Sequence, residues 1–219
     1  MPKTKNRCDE IKDERRQQIL NCALELFCEN GVSATKIDDI AKMAEISHGL
    51  FYHYFKTKDE IFIELFFDGH KHYSEFADWI LSHSNLPAKE KFIVLTDRML
   101  ETIANDKNVG LHLCLRQNLK LIKKDYEEVL TKALTEPGRD HKAYKDRAQQ
   151  MKVFEDLFIE GQNDGDFLDG DPKELLHFYW TIINGITLDK LRSTKLKLPP
   201  KPIHRELVLR AFLKNTENL

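Results

Sequence analysis

An all-α fold is predicted from three features of this 219-residue chain. Apolar residues recur three and four positions apart along most of its length, the spacing of a helix with one buried stripe. Alternation of period two, the mark of a half-buried strand, is nowhere sustained. Glycine and proline are scarce, 9 and 7 residues, and stand where helices would stop. The pattern divides into three short helices near the N-terminus and a longer helical region, about nine helices in all.

The first helix is expected from about Asp13 to Glu29, after a flexible basic arm over residues 1–12 that carries Lys3, Lys5 and Arg7. Ile19, Ala23 and Leu26 with Phe27 make its buried stripe, and Gly31 can take the left-handed conformation that ends it. Thr35 is the expected cap of the second helix, with Asp38 completing a weak capping box. Ile37, Ile40, Ala41 and Ala44 form its inner face. Ser47 caps a third helix that runs to about Tyr54. Thr57 with Glu60 is a good capping box for a fourth, reaching about Leu81. Further helices are expected near 88–105, 109–122, 124–135, 143–164, 172–192 and 203–215. Asp171 followed by Pro172 is an N-cap with a first-turn proline. Pro199, Pro200 and Pro202 break the chain before the last helix, and Pro137 and Gly138 mark a charged loop over 134–144.

Charge and composition bound the function. With 34 Lys+Arg against 36 Asp+Glu, the globally basic balance of many nucleic-acid binders is absent, so any positive face must be local. No apolar run reaches the roughly 18 residues that a membrane span needs, and the polar start lacks the core of a signal peptide. Four cysteines in a chain this long are no disulfide framework. Cys22 and Cys28 stand about 9 Å apart along one predicted helix, too far to bridge. These features predict a reduced, cytoplasmic protein with no membrane partner.

The third helix concentrates the chemistry. A helix fits the DNA major groove, where base edges display a distinct donor and acceptor pattern. Such a helix needs polar or planar side chains outside and an apolar face inside. Ser47, His48, Gly49, Tyr52 and His53 fit the outer face, with Leu50 placed to touch a thymine methyl. Phe51 and Phe55 fit the inner face, with part of Tyr54. Gly49 costs the helix about 1 kcal/mol relative to alanine, a cost that close approach to DNA would explain. Thr35, Lys36, Tyr54 and Lys58 lie at helix starts or flanks, where phosphates are gripped. On residue types alone, base reading and a solvated surface helix both stay open.

The same residues resemble the DNA-binding domain of the TetR family of bacterial regulators. The similarity runs in order and without gaps through Ile19 to Phe27, Gly31, Ala34-Thr35, Ile40-Ala41, Ala44, Ile46-Ser47, Gly49, Phe51-Tyr52, Tyr54-Phe55, Lys58 and Ile61. A second, weaker match lies in Glu160-Gly161-Gln162, Gly165-Asp166-Phe167, Asp171-Pro172 and Gly185. The resemblance implies a helix-turn-helix DNA-binding domain over 13–58 and a helical ligand-binding and dimerisation domain over 59–219. It further implies a homodimer on a palindromic double-stranded operator, with two reading helices about 34–36 Å apart. Tyr52, His53 and Lys58 would then anchor phosphates, and Ser47, His48 and Leu50 would lie nearest the bases. Repression is implied over activation. One departure stands out: Glu45 occupies a turn where the family usually has glycine. If the backbone there is left-handed, Glu45 costs roughly 1–2 kcal/mol.

In the second domain, Leu175, Tyr179, Ile182 and Ile186 on one helix and Ile203, Leu207 and Ala211 on the next form stripes that need a partner. By resemblance they meet a second subunit as a four-helix bundle, with Gly185 allowing close approach; the other reading packs both stripes inside one subunit. The middle helices are expected to surround a cavity for a small, largely apolar effector of unknown identity. Phe92, Met99, Leu113, Phe154, Phe158, Trp180 and Ile183 would wall it, and His112, Cys114, Arg116, Gln117 and Asn184 would supply polar contacts. An aromatic stripe at helical spacing is equally what ordinary core requires. Ligand would favour an arrangement whose reading helices are wrongly spaced for DNA, with the fourth helix carrying the motion.

Rival chemistries find little support. His70 and His72, like His112 and Cys114, are two apart and so point to different helix faces. Neither H-E-x-x-H nor C-x-x-C occurs. The acidic run from Asp164 lacks calcium-loop spacing, with Asp169 at position six and Leu175 at position twelve. No phosphate-cradling glycine loop or serine nucleophile elbow is present. No metal, cofactor or enzymatic activity is expected. Two alternatives remain: a redox-responsive regulator acting through cysteine, with Cys8 better exposed than Cys22 or Cys28, and a helical dimeric adaptor that binds no DNA.

Overall fold

A computed structural model describes residues 3–121, 125–135, 147–199, 201–202 and 204–216. Among them the fold is helical, with one antiparallel bridge between Phe167 and Leu213. Eleven helices are described rather than about nine. The chain divides into two compact units, Met1–Asp68 with Cys114–Arg139, and Gly69–Leu113 with Asp140–Leu219.

In the first unit, α1 (Lys3–Asn30) is longer than expected. Residues assigned to a flexible arm are helical from Lys3 onward, because no glycine or proline interrupts the chain between Pro2 and Gly31. Gly31 closes the helix at φ +80°, its N–H donating to the Phe27 carbonyl at 3.0 Å. α2 (Ile37–Met43) and α3 (His48–Tyr54) follow, then α4 (Lys58–Asp68). Ile19, Leu20, Ala23, Leu24 and Phe27 of α1 are buried, together with Ile40, Ala41 and Ala44, and Phe51 and Phe55. α4 adds Ile61, Phe62, Leu65 and Phe66 to the buried set. Arg16 of α1 forks onto both carboxylate oxygens of Glu64 and lies 4.7 Å from the centre of the Phe55 ring. α4 packs against α8 (Asp125–Thr135), and both belong to the first compact unit.

The fourth helix stops at Asp68 instead of running to Leu81; Gly69 and His70 form a turn before α5 (Lys71–Ser82). A Cβ on Gly69 would stand 3.1 Å from the His112 ring, so the close approach suits glycine. α6 (Ala88–Asn105), α7 (Lys107–Leu121), α9 (Arg147–Asn163), α10 (Pro172–Lys195) and α11 (Arg205–Arg210) complete the set. The first turn of α10 is built as its sequence reads: Asp171 accepts from the N–H of Lys173 at 2.8 Å and of Glu174 at 3.1 Å, with Pro172 next to the cap. α11 is shorter than the expected 203–215 span. Its exit is drawn into backbone pairing, with Leu168 N donating to Phe212 O and Lys214 N to Asp166 O, each 2.8 Å. Ile203, most of the loop expected over 134–144 and the first residues of the helix expected over 143–164 lie outside the described residues.

The second unit's core is aromatic. Phe92 of α6 meets Phe167 at 5.1 Å, Tyr179 at 5.2 Å, Phe158 at 5.6 Å and Phe212 at 5.7 Å between ring centres. Such tilted and edge-on pairs stabilise beyond their burial by about 0.5–1.5 kcal/mol each. Gly161 makes this possible, since a Cβ there would stand 2.5 Å from the Phe167 ring. Beside it Lys91, 3% exposed, donates to both oxygens of Glu160 at 2.7 and 2.9 Å. No described helix is long and apolar enough to cross a membrane.

Candidate nucleic-acid interface

The helix expected to read DNA, α3, is short and fixed from one side. Ser47 is the N-cap of α3, and its Oγ accepts from the Leu50 N–H at 3.2 Å. Phe51 and Phe55 are wholly buried, which holds the opposite face outward. Ser47, His48, Gly49, Leu50, Tyr52 and His53 are all exposed, and Tyr54 is half-buried. Ser47, His48, Gly49, Leu50, Tyr52 and His53, expected on the outer face, are thus all left in water. Leu50 and Tyr52 are large apolar or aromatic side chains left in water there, 40% and 46% exposed.

Two clamps fix the approach to α3. Gln18 of α1 donates to the Ala44 carbonyl at 3.1 Å, and Arg15 donates to Gln18 at 2.8 Å. This satisfies a carbonyl at the C-terminal end of α2, where helical partners run out. The turn then passes through Glu45 at φ +53°, the left-handed conformation that the departure from glycine made a question. Ile46 N closes it onto the Ala41 carbonyl at 3.0 Å.

Thr35 does not take the expected role. It is 1% exposed, and its hydroxyl donates backward to the carbonyls of Gly31 at 2.8 Å and Leu26 at 3.2 Å. The cap position of α2 belongs to Lys36, whose N–H is accepted by Asp39 at 3.2 Å, in place of the Thr35 and Asp38 pair. Lys36 itself is exposed. Lys58 is partly committed: its Nζ donates to Thr35 O at 2.8 Å and to Ser33 O at 3.1 Å. Burial lowers the pKa of this ammonium, with Asp59 opposing. Thr57 accepts from Glu60 N at 3.1 Å as expected, while Glu60 reaches back to Lys56 N at 2.8 Å. Gln18, Arg16 and the backbone bonds of Lys58 carry no periodic signal and were not legible in the sequence.

The second unit separates the residues expected at the effector pocket. Phe92, Phe154 and Phe158 are about 1% exposed or less, and Phe92 and Phe158 interlock with Phe167, Tyr179 and Phe212. Met99, Leu113 and Ile183 are buried; Trp180, Asn184 and His112 are half-buried. Phe154 meets Trp180 edge-on at 5.2 Å. Arg116, half-buried, and Gln117, exposed, belong to the first unit, as does Cys114. The two grooves described in the second unit lie elsewhere. One, about 470 Å³, runs along α10 and α11 past Ile182, Gly185, Ile186 and Leu207. The other, about 770 Å³ and wide open, lies by Phe76, Arg98 and Asn105.

That first groove is lined by Ile182, Ile186 and Leu207 of the expected dimer residues. Leu207 is 63% exposed, Ile182, Ile186 and Ala211 are half-buried, and a Cβ on Gly185 would meet nothing within 4 Å. Leu175 is half-buried against the subunit's own core. Tyr179 departs from expectation: it is wholly buried in that core, its hydroxyl 3.2 Å from Thr96 Oγ1 and donating to Met99 Sδ at 3.4 Å. Its neighbour Phe178 is 50% exposed and meets Phe212, ring centres 5.7 Å apart. Cys22 and Cys28 are partly rather than largely buried.

The model of the family described as bacterial regulatory proteins, tetR family, matches residues 19–65. The chain is 31% identical over 134 residues to the fatty acid metabolism regulator protein of Bacillus subtilis (strain 168), covering 57% of this chain and 69% of that one. Among solved structures, regulatory protein TetR from Rhodobacter sphaeroides is 25% identical, with a TM-score of 0.59 over 90% of this chain and 97% of its own. The MbdR regulator from Azoarcus sp. CIB is 26% identical, with a TM-score of 0.61 over 90% and 94%.

Proposed function

The chain belongs to the tetR family of bacterial regulatory proteins and is a DNA-binding transcriptional regulator; we propose that it is a cytoplasmic repressor that grips a palindromic operator as a homodimer and releases it when a small, largely apolar effector binds. One observation carries the DNA-facing part. Ser47, His48, Leu50, Tyr52 and His53 are exposed together on a helix whose other face, Phe51 and Phe55, is wholly buried. A solvated surface helix has no need of Leu50 and Tyr52 in water, whereas a groove-reading helix uses both to touch bases and sugar–phosphate.

The unpartnered face of α10 and α11 supports the homodimer. Leu207 is 63% exposed there, and a second copy of the same surface would cover it. The apolar effector draws support from the Bacillus subtilis relative, whose name concerns fatty acid metabolism. Within the second unit, Phe154, Trp180, Ile183 and Met99 remain the residues proposed to meet it. Release requires that the effector bind one arrangement of the protein better than the other; a tenfold drop in operator affinity needs about 1.4 kcal/mol of difference.

The test is selection of binding sites from a randomised duplex library, with sedimentation of the free protein. A palindromic motif with half-sites one helical turn apart and a dimer dissociated by Leu207→Glu are the expected results. Enrichment of no sequence, or a monomer that binds a single half-site, rejects the proposal. Saturated fatty acids of graded chain length, added to the selected duplex complex, probe release.

A further inference from the structure

The turn that launches α3 holds a residue in a costly conformation, and a long-range bond explains why it stays there. Glu45 sits at φ +53°, where an L side chain crowds its own backbone. Such a conformation persists only where its surroundings over-determine it. The peptide unit that joins Ala44 to Glu45 is held at both ends. Its carbonyl accepts from Nε2 of Gln18, on α1, at 3.1 Å. Its N–H donates to the Lys42 carbonyl at 3.2 Å. Ala44 is wholly buried, so this carbonyl depends on Gln18 rather than on water.

The Gln18 amide is itself oriented. Its Oε1 accepts from a terminal guanidinium nitrogen of Arg15 at 2.8 Å. A guanidinium only donates and a backbone carbonyl only accepts. The two bonds therefore fix the ends of the amide, oxygen toward Arg15 and nitrogen toward Ala44.

The angle φ of Glu45 is rotation about the bond between that held peptide unit and the Glu45 Cα. From that Cα the chain continues through Ile46 and Ser47 into α3. Relief of the strain requires the peptide plane to turn or the chain beyond it to swing. Phe51 and Phe55 restrain the body of α3 through their burial, and Gln18 restrains the plane from which its first turn departs. Resting on the DNA-binding reading above, we propose that Gln18 is a positioning residue for operator recognition: oriented by Arg15 and bonded to the Ala44 carbonyl, it keeps Glu45 left-handed and so sets the angle at which Ser47, His48 and Leu50 meet the bases.

Position 45 separates this role from a merely stabilising one. Glycine adopts the left-handed conformation at little steric cost. With Glu45→Gly the turn no longer needs the restraint, so the loss caused by removing Gln18 should shrink. With Glu45→Gln the charge is gone but the Cβ and its strain remain, so the loss should persist. A residue that only adds stability has no such link to the backbone of its neighbour.

The experiment first selects an operator from a randomised duplex library with wild type. Affinity for that operator is then measured for Gln18→Met, Glu45→Gly, Glu45→Gln and the doubles Gln18→Met/Glu45→Gly and Gln18→Met/Glu45→Gln. Methionine keeps the reach of the side chain and removes the donor. Gln18→Met is expected to weaken operator binding by about tenfold, through the smaller fraction of correctly aimed α3. Binding to unrelated DNA, which rests on phosphate contacts, stays level. The loss falls to about twofold or less with Glu45→Gly and stays about tenfold with Glu45→Gln. Hydrogen exchange of the free protein gives a second reading. Gln18→Met should speed exchange of the Glu45 N–H and leave unchanged that of Ala44, which donates to the Ile40 carbonyl at 2.9 Å. Equal losses in all three backgrounds, no loss on the selected operator, or unchanged exchange at Glu45 overturns the assignment. A wild type that enriches no sequence removes the DNA-binding reading itself, while exchange at Glu45 still reads whether Gln18 holds the turn. If Gln18→Met does not melt cooperatively, Gln18→Asn, whose amide is one methylene short of the carbonyl, replaces it in every comparison.

Discussion

Lys58 reaches from the first turn of α4 to the carbonyl of Thr35, 2.8 Å away, and so ties the start of the fourth helix to the segment that launches the second. Its other described bond, to Ser33 O at 3.1 Å, uses a second of its three N–H donors. One donor remains for a phosphate. Lys58→Met is therefore expected to act twice. Stability falls by about 1 kcal/mol, the net worth of such bonds at a partly exposed site. Operator binding weakens alike for all sequences, and the slope of log K against log salt falls by about 1. Chemical denaturation reads the first and binding at several salt concentrations the second. An unchanged slope with lowered stability would assign Lys58 to the scaffold alone.

Glu45 holds φ +53° in an exposed turn, where a Cβ is strained. Glu45→Gly relieves that strain, less the extra freedom that glycine has in the unfolded chain. A net gain of about 1 kcal/mol is expected in urea unfolding. Binding to DNA should tighten at low salt, because a carboxylate leaves the neighbourhood of the reading helix. A loss of stability would mean that the Glu45 side chain contributes more than its backbone strain removes.

Local punctuation was legible from sequence, and long-range partnership was not. Gly31, Ser47 and Asp171 with Pro172 each act within a few residues, so their roles could be read directly and the backbone follows them. Phe51 and Phe55 were legible because four-residue spacing on so short a helix leaves one face to bury. Tyr179 was misplaced for a physical reason. A stripe reports that a face needs covering, without saying whether its own subunit or a second one covers it. Leu207 and Tyr179 share that signal, yet one is 63% exposed and the other wholly buried. Phe92 and Phe158 show the same limit for pockets, since aromatic rings that could wall a cavity fill it with one another here. Thr35 was misread by one position, because Lys36 uses its backbone N–H and needs no side-chain cap of its own.

Burial holds the Tyr179 phenol above its ordinary value, with the bond to Thr96 opposing. An unfolded tyrosine ionises near pH 10. The folded group keeps its proton beyond that, so its contribution is complete below about pH 10 and is lost as pH rises toward the higher folded value. Tyr179→Phe removes this loss. At neutral pH it should cost about 1 kcal/mol, since the Thr96 hydroxyl loses a buried partner. Above about pH 10 the gap between wild type and variant should narrow. Urea unfolding at both pH values tests it; a constant gap would show that Tyr179 does not titrate differently in the two states.

Gly49 separates a structural glycine from a functional one. It lies inside α3 outside the positive-φ region, and a Cβ there would meet nothing within 4 Å. Nothing in the free protein requires glycine. Gly49→Ala should therefore stabilise the fold by up to about 1 kcal/mol, the difference in helix propensity. On the proposed DNA-binding reading, the same methyl group would stand between His48 and Leu50 where the helix backbone would approach the groove. Operator affinity should fall by about tenfold or more while the melting temperature rises, a loss of about 1.4 kcal/mol or greater. The two measurements have opposite signs only if the glycine serves the duplex. Alanine that stabilises the protein and binds the selected operator as well as wild type would show that α3 keeps its backbone clear of the bases, and would place recognition on the longer side chains alone.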